Sequence, residues 1–190
     1  RFLKLLVTQM KNQDPLNPLD NAQVTSQMAQ LSTVTGIDKL NTTLETMMSG
    51  MQSSQSLQAA NMIGHGVLVP GSSLSLQNGK SVFGIELTEP ADNVQVTIRD
   101  ASGKAVQQIN LGAQSIGSQP LLWDGKGKDG TSLADGMYNF DVTASRGGLS
   151  SQVTGLAFGQ VSSVSTGPQG VTLNLPTIGS VSLSDIRQII

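Results

Sequence analysis

The apolar residues of this chain change period once, and that change divides it. Ile37, Leu40, Leu44, Met47 and Met51 recur at steps of three and four, which places them along one narrow seam of an α-helix. From Val67 onward the step is two. Val94, Val96 and Ile98 alternate with polar residues, as do Tyr138, Phe140 and Val142. A repeat of two cannot line one face of a helix, and a repeat of 3.5 cannot line one face of a strand. The chain therefore reads as a helical arm followed by β structure.

The arm has more internal detail than its seam. Phe2, Leu5, Leu6, Gln9 and Met10 share one face of a short amphipathic helix, which Asp14-Pro15-Leu16-Asn17-Pro18 ends. Each proline lacks a donor and pushes the residue before it out of the α region. A second helix is expected to start at Asp20 as N-cap. Gln23 would close a capping box, and Leu19 and Val24 stand at the positions of a hydrophobic staple. This helix continues through Leu31 and Val34 into the seam. Gly36 inside it costs about 1 kcal/mol relative to Ala, and Thr42, Thr43 and Ser49 are indifferent helix formers. The Gln- and Ser-rich residues 49–61 read as a fraying helix end or linker. No second long amphipathic segment follows to pair with the seam, so it is expected to meet other copies or partner helices. Methionine at seam positions suits adaptable packing.

In the β part, residues 67–69 and 74–76 are short strands separated by Pro70-Gly71. Asn78-Gly79 is a hairpin turn, because both central positions of a type I′ turn need positive φ. Val82, Phe83, Ile85 and Leu87 form the next strand, and Asp100-Ala101-Ser102-Gly103 turns into residues 105–111. This spacing predicts an immunoglobulin-like or fibronectin type III β-sandwich over residues 81–148. Its middle holds Asp124, Asp129 and Asp135, each followed by glycine. A calcium loop is disfavoured there, because Lys126 and Lys128 occupy alternate ligand positions and no glutamate closes the loop. The expected reading is a corner with Trp123 as its buried anchor. After residue 148, short strands at 153–158, 160–164, 171–175 and 181–183 suit a small SH3- or Tudor-like barrel, though they are too few to close one. Ser184 is placed to cap a last short turn over residues 185–190.

Composition narrows the function. Of 190 residues, 13% are charged and the net charge is −2, so no electrostatic footprint for nucleic acid is present. There is no cysteine to form a disulfide or a thiolate metal site. No apolar run reaches the roughly 20 residues that span a bilayer, so membrane insertion is not expected. Arg1 leads straight into the amphipathic pattern, and no cleavable signal peptide is expected. Gly64-His65-Gly66 lacks the third glycine of a dinucleotide fingerprint. Asn78-Gly79-Lys80-Ser81 has a P-loop ending in a hairpin context, with Leu74 where the first glycine belongs. The single histidine, His65, has no orienting acid nearby in sequence, which leaves a serine hydrolase without its base. An enzyme, a cofactor and a bound metal are therefore not expected. A carbohydrate-binding or adhesion module is the alternative class, and one Trp with one Tyr gives it little to stack on sugars.

The run Phe2 to Ser32, centred on Asp-Pro-Leu-Asn-Pro-Leu-Asp, resembles the N-terminal region of the bacterial flagellar hook-capping family, also called the basal-body rod modification family. Trp123-Asp124-Gly125, Asp135-Gly136 and Tyr138 resemble a signature of that family's sandwich domain. The resemblance implies a non-enzymatic scaffold, exported through the flagellar secretion apparatus, that caps the distal end of the growing hook and promotes polymerisation of hook subunits. Its implied partners are hook protein subunits and further copies of itself in a ring-like cap. It also resolves the incomplete barrel: residues 62–80 would pair with residues 149–190, with the sandwich inserted between them and residues 1–61 forming the arm and linker. On this reading the contacts are carried by Phe2, Leu5, Leu6, Met10, Leu16, Pro18, Leu19, Val24, Met28 and Leu31.

Overall fold

The computed structural model describes residues 19–167 and 170–190, with side chains from residue 23 onward. The short helix expected over residues 2–10 and the proline-ended segment after it lie outside the described residues. One long helix, α1 (Leu19–Ala60), precedes a body built of strands. The chain divides into two units whose boundary, Met51/Gln52, falls inside α1.

In the described residues α1 already includes Leu19 and Asp20, so Asp20 stands within the helix rather than at its cap. The helix also passes through the stretch expected to fray and ends only at Ala60. Thr33, Thr35, Thr42, Thr43, Thr46 and Ser56 each donate to the carbonyl four residues earlier, which satisfies the hydroxyls without strengthening the helix. What carries the helix on is that its last turns are tied down. Gln52 Nε2 donates to the carbonyl of Gly167 at 3.2 Å, Ser56 Oγ lies 3.3 Å from Thr166 Oγ1, and Ala59 is fully buried. Tertiary contact overrides a weak local preference there.

Two hydrophobic cores hold the strands of the second unit. The larger lies between two sheets. One carries β2 (Ser73–Leu76), β7 (Gly136–Arg146), β4 (Ala91–Arg99) and β5 (Ala105–Gln114) in that order, with β8 (Leu149–Ser151) on β7. The other has the order β13 (Gln188–Ile189), β1 (Gly66–Pro70), β9 (Val153–Gln160), β3 (Ser81–Leu87), β6 (Gly117–Trp123). Phe83, Ile85 and Leu87 alternate inward from β3, Val94, Val96 and Ile98 from β4, and Phe140 from β7, while Leu74 and Leu76 of β2 join them. Each such side chain contributes roughly 1.5–3 kcal/mol by leaving water. The period-two pattern thus finds its partner in a facing sheet.

The smaller core gathers Val67 and Val69 of β1, Val161, Ala59 of α1, and Val171, Leu173 and Leu175 of β11 (Gly170–Leu175). Strand β11 is the centre of a three-stranded sheet, between β10 (Ser163–Gly167) and β12 (Gly179–Ser182). A single strand serves both cores. β9 pairs with β1 through Leu156–Gln160 of its length and with β3 through Val153–Ala157. Two glycines on one face of β9 make room: a Cβ at Gly155 would lie 2.8 Å from Phe140 of the larger core, and one at Gly159 would collide with Leu175 of the smaller.

Three local expectations need correction. Asn78 and Gly79 have φ of 53° and 71°, as a type I′ turn requires, and Gln77 and Lys80 bridge across it. The strands it joins do not form a hairpin, because β2 pairs with β7 and β3 with β9 and β6. The turn is a corner between sheets. Strand β6 has no counterpart in the sequence reading, since Gly117, Ser118, Gln119 and Pro120 carry no alternation; Pro120 is accommodated because β6 is an edge strand bonded only to β3. The cap near the C-terminus is Ser182, not Ser184. It starts a single 3₁₀ turn (Leu183–Asp185), and Asp185 returns a bond to the Ser182 amide. Ser184 is held instead as a donor to Ser182 Oγ.

Candidate interaction face

The described part of α1 presents large apolar side chains to solvent. Val34, Ile37, Leu40, Leu44, Met47 and Met51 are each between 51% and 67% exposed. Four residues of the 42 are charged, Asp20, Asp38, Lys39 and Glu45. A solvated surface helix would show a charged outer face against a buried apolar one. Here the apolar side chains are uncovered along with the polar ones, and contiguous exposed apolar surface marks a candidate contact site. The seam residues themselves carry only hydrocarbon and thioether side chains, so a contact along this line would be made by shape and apolar burial.

The residues expected to make contacts divide by position. Phe2, Leu5, Leu6, Met10, Leu16 and Pro18 lie outside the described residues. Leu19 is the first described residue of α1, known by its backbone alone. Val24 and Leu31 are exposed and Met28 is half-buried. The structure places these last three on the same helix as the Ile37–Met51 seam, upstream of it.

The Trp123 corner is built as turns need it. Trp123 is 1% exposed, its Nε1 donates to the carbonyl of Lys126 at 3.0 Å, and Tyr138 meets it edge-on at 5.2 Å. Tyr138 in turn donates its hydroxyl to the carbonyl of Ala134. Neither ring offers a free face for a sugar. All three aspartates accept from backbone amides. Asp124 takes that of Lys126, Asp129 that of Thr131, and Asp135 those of Asn78 and Gly79 at 2.8 and 3.2 Å. Asp135 thereby pins the corner between β2 and β3, a role with no signal in local sequence. The Thr131 hydroxyl, 2.6 Å from Asp129, and then the Thr131 amide hold the Asp129 carboxyl below the usual aspartate range. Asp100 is held low in the same way, first by the Ser102 hydroxyl at 2.6 Å and then by the amides of Lys104 and Ser102.

Among the described residues, no three His, Asp or Glu side chains are grouped to hold a metal ion. No described helix is long and apolar enough to cross a membrane. A 530 Å³ hollow beside β5 is lined by Lys104, Val106, Lys128, Asp129 and Leu133, and a 320 Å³ cleft by Lys80, Val82, Phe158, Gln160 and Pro176. Neither gathers a histidine with a carboxylate.

Known proteins agree with this division into arm and body. Residues 1–46 match the family model described as the N-terminal region of flagellar hook capping protein, and residues 71–148 match the FlgD Ig-like domain. The basal-body rod modification protein FlgD of Salmonella typhimurium is 46% identical over 197 residues, covering 100% of this chain and 85% of that protein. Its Escherichia coli counterpart is 45% identical over the same coverage. The crystal structure of FlgD from Xanthomonas campestris, described as bearing on the hook capping essential for flagellar assembly, superposes with a TM-score of 0.60 at 30% identity. That match spans 72% of this chain and 99% of that one. With two family models matched in order along the chain and 45–46% identity to relatives over its whole length, the chain belongs to the FlgD family of flagellar hook-capping, basal-body rod modification proteins.

Proposed function

We propose that this chain is a non-enzymatic scaffold that caps the growing bacterial flagellar hook and promotes the ordered polymerisation of hook subunits. The observation that carries the reading is the 46% identity with FlgD of Salmonella typhimurium across the whole of this chain. The open apolar face of α1 supports it physically, since a scaffold needs a surface that subunits cover in turn. On this reading the protein is exported through the flagellar secretion apparatus and acts at the distal end of the hook. It works as a ring-like homo-oligomer, without a cofactor, metal, nucleic acid or membrane insertion.

The contacts are assigned to Phe2, Leu5, Leu6, Met10, Leu16, Pro18, Leu19, Val24, Met28 and Leu31. In the body, residues 62–80 with 149–190 are assigned to a Tudor- or SH3-like barrel, and residues 81–148 to an inserted fibronectin type III/Ig-like sandwich. Two separate cores, and the pairing of β1 with β9 and β13, support that division. The packing of Leu74 and Leu76 into the larger core favours starting the sandwich at β2. The test is Leu5→Asp combined with Val24→Asp, carried on the chromosome. The β body should stay folded and hook growth should stop; hooks of normal length in that strain would refute the assignment of contacts.

A further inference from the structure

Asn78 is the only asparagine of this chain that a glycine follows. Such a pair is open to a reaction of the chain on itself, because glycine sets no side chain beside its own amide nitrogen. The Gly79 nitrogen gives up its proton and attacks Cγ of Asn78. A C–N bond forms, the bond to the side-chain nitrogen breaks, and ammonia leaves with the proton. Water then opens the five-membered imide, adding its OH to one carbonyl carbon and its hydrogen to the ring nitrogen, and leaves aspartate or isoaspartate at 78. Both residues are exposed, so water reaches them.

The fold works against the first of these steps. The two oxygens of the Asp135 carboxylate accept from the Asn78 amide at 2.8 Å and from the Gly79 amide at 3.2 Å. The nitrogen that would attack is therefore the one the carboxylate holds. Its attacking form is an anion, and a carboxylate alongside disfavours a second negative charge there. Gln77 and Lys80 exchange backbone bonds across the same turn at 3.0 and 3.1 Å. On its other side Gly125 packs so closely that a Cβ there would lie 3.0 Å from the Gly79 carbonyl oxygen. We propose that Asp135 guards Asn78 against deamidation by holding the Gly79 nitrogen that would attack it. The corner between β2 and β3 is what the guard preserves. A carboxylate created at 78 would repel Asp135, and isoaspartate would add a backbone atom between Gln77 and Lys80.

The experiment incubates the full chain at mildly alkaline pH and follows Asn78 by peptide mass spectrometry, with Asn110 and Asn174, each followed by leucine, as internal references. Folded wild-type chain should deamidate at Asn78 several-fold more slowly than the same chain unfolded in urea. Asp135→Asn keeps the shape and removes the charge, and should speed the folded-state reaction about fivefold, as the loss of one charge-assisted bond does. Asp135→Ala should do at least as much, with Asn110 and Asn174 unchanged in both variants. In urea all three chains should react at one rate, since the contact is gone. A folded wild-type rate equal to that in urea would overturn the proposal. So would an Asp135→Asn rate no higher than wild type, and a lower one would make the carboxylate a base that promotes the reaction.

Discussion

Trp123 shows how one side chain sets a neighbourhood. Its ring fills the larger core, its N–H closes the loop that follows by bonding to Lys126, and Tyr138 packs edge-on against it. Across the β3–β6 pair from Trp123 lies Ser81, 3% exposed, whose Oγ has no hydrogen-bond partner among the described residues. A buried unpaired hydroxyl is a standing cost, so Ser81→Ala should raise stability by about 1 kcal/mol, read as a shifted urea midpoint at constant slope. The turn aspartates make a pH prediction. Asp100 and Asp129 titrate below the ordinary aspartate value of 3.8 because Ser102 and Thr131 donate to their charged forms. A carboxylate depressed in the folded state adds stability that is full above the unfolded value and disappears as pH falls through the folded one. Stability should therefore drop as pH falls from about 5 to about 2, and Asp100→Asn with Asp129→Asn should flatten part of that slope. Both groups are solvent-exposed, so the effect is small.

At the scale of elements, β9 is the strand on which the body depends. It hydrogen-bonds to β1 on one side and β3 on the other, and its two glycines admit Phe140 and Leu175 against its backbone. Gly155→Ala meets the carbonyl of Gly71 at 3.0 Å as well as Phe140, and Gly159→Ala meets Leu175 and Ile178. Each should cost about 1–3 kcal/mol in denaturant unfolding, as overpacked cores do. No loss at either position would mean that the neighbouring core relaxes freely. The helix follows a different logic. Its run through the Gln- and Ser-rich stretch to Ala60 rests on the anchoring of its last turns through Gln52, Ser56 and Ala59.

For the whole molecule, the question is where the β body begins. Periodicity places the end of the helical seam near Met51, and the Gln- and Ser-rich residues after it read as a linker. Packing instead assigns those residues to the body, because Ala59 seats in the smaller core and Gln52 and Ser56 bond to the β10 strand end. A chain starting at Gln52 should thus unfold at a higher urea concentration than one starting at Asn61. The difference should be about 1–3 kcal/mol, from a lost core contact and the space it leaves. Equal midpoints would show that the helix end is not part of the core. At the C-terminus, Arg187 reaches Glu86 of β3 at 2.9 Å in a half-buried pair, tying the tail back across a separation of 101 residues.

Local chemistry determined much by itself. The two periods, the positive-φ corner at Asn78-Gly79 and the anchor at Trp123 depend on side chains within a few residues of one another, so they are legible in order along the chain. The exposed seam on α1 was legible for the same reason, since nothing later in the sequence was available to cover it. Tertiary structure alone decided which strands share a sheet, that β6 exists as a proline-bearing edge, that β9 serves both cores, and that α1 runs on to Ala60. Each of these rests on contacts between residues far apart in sequence. Hydrogen bonds and burial that span 50 to 110 positions, such as Asp135 to Gly79 or Ser56 to Thr166, leave no periodic mark on either segment. The free energy that selects them appears only when the chain closes on itself.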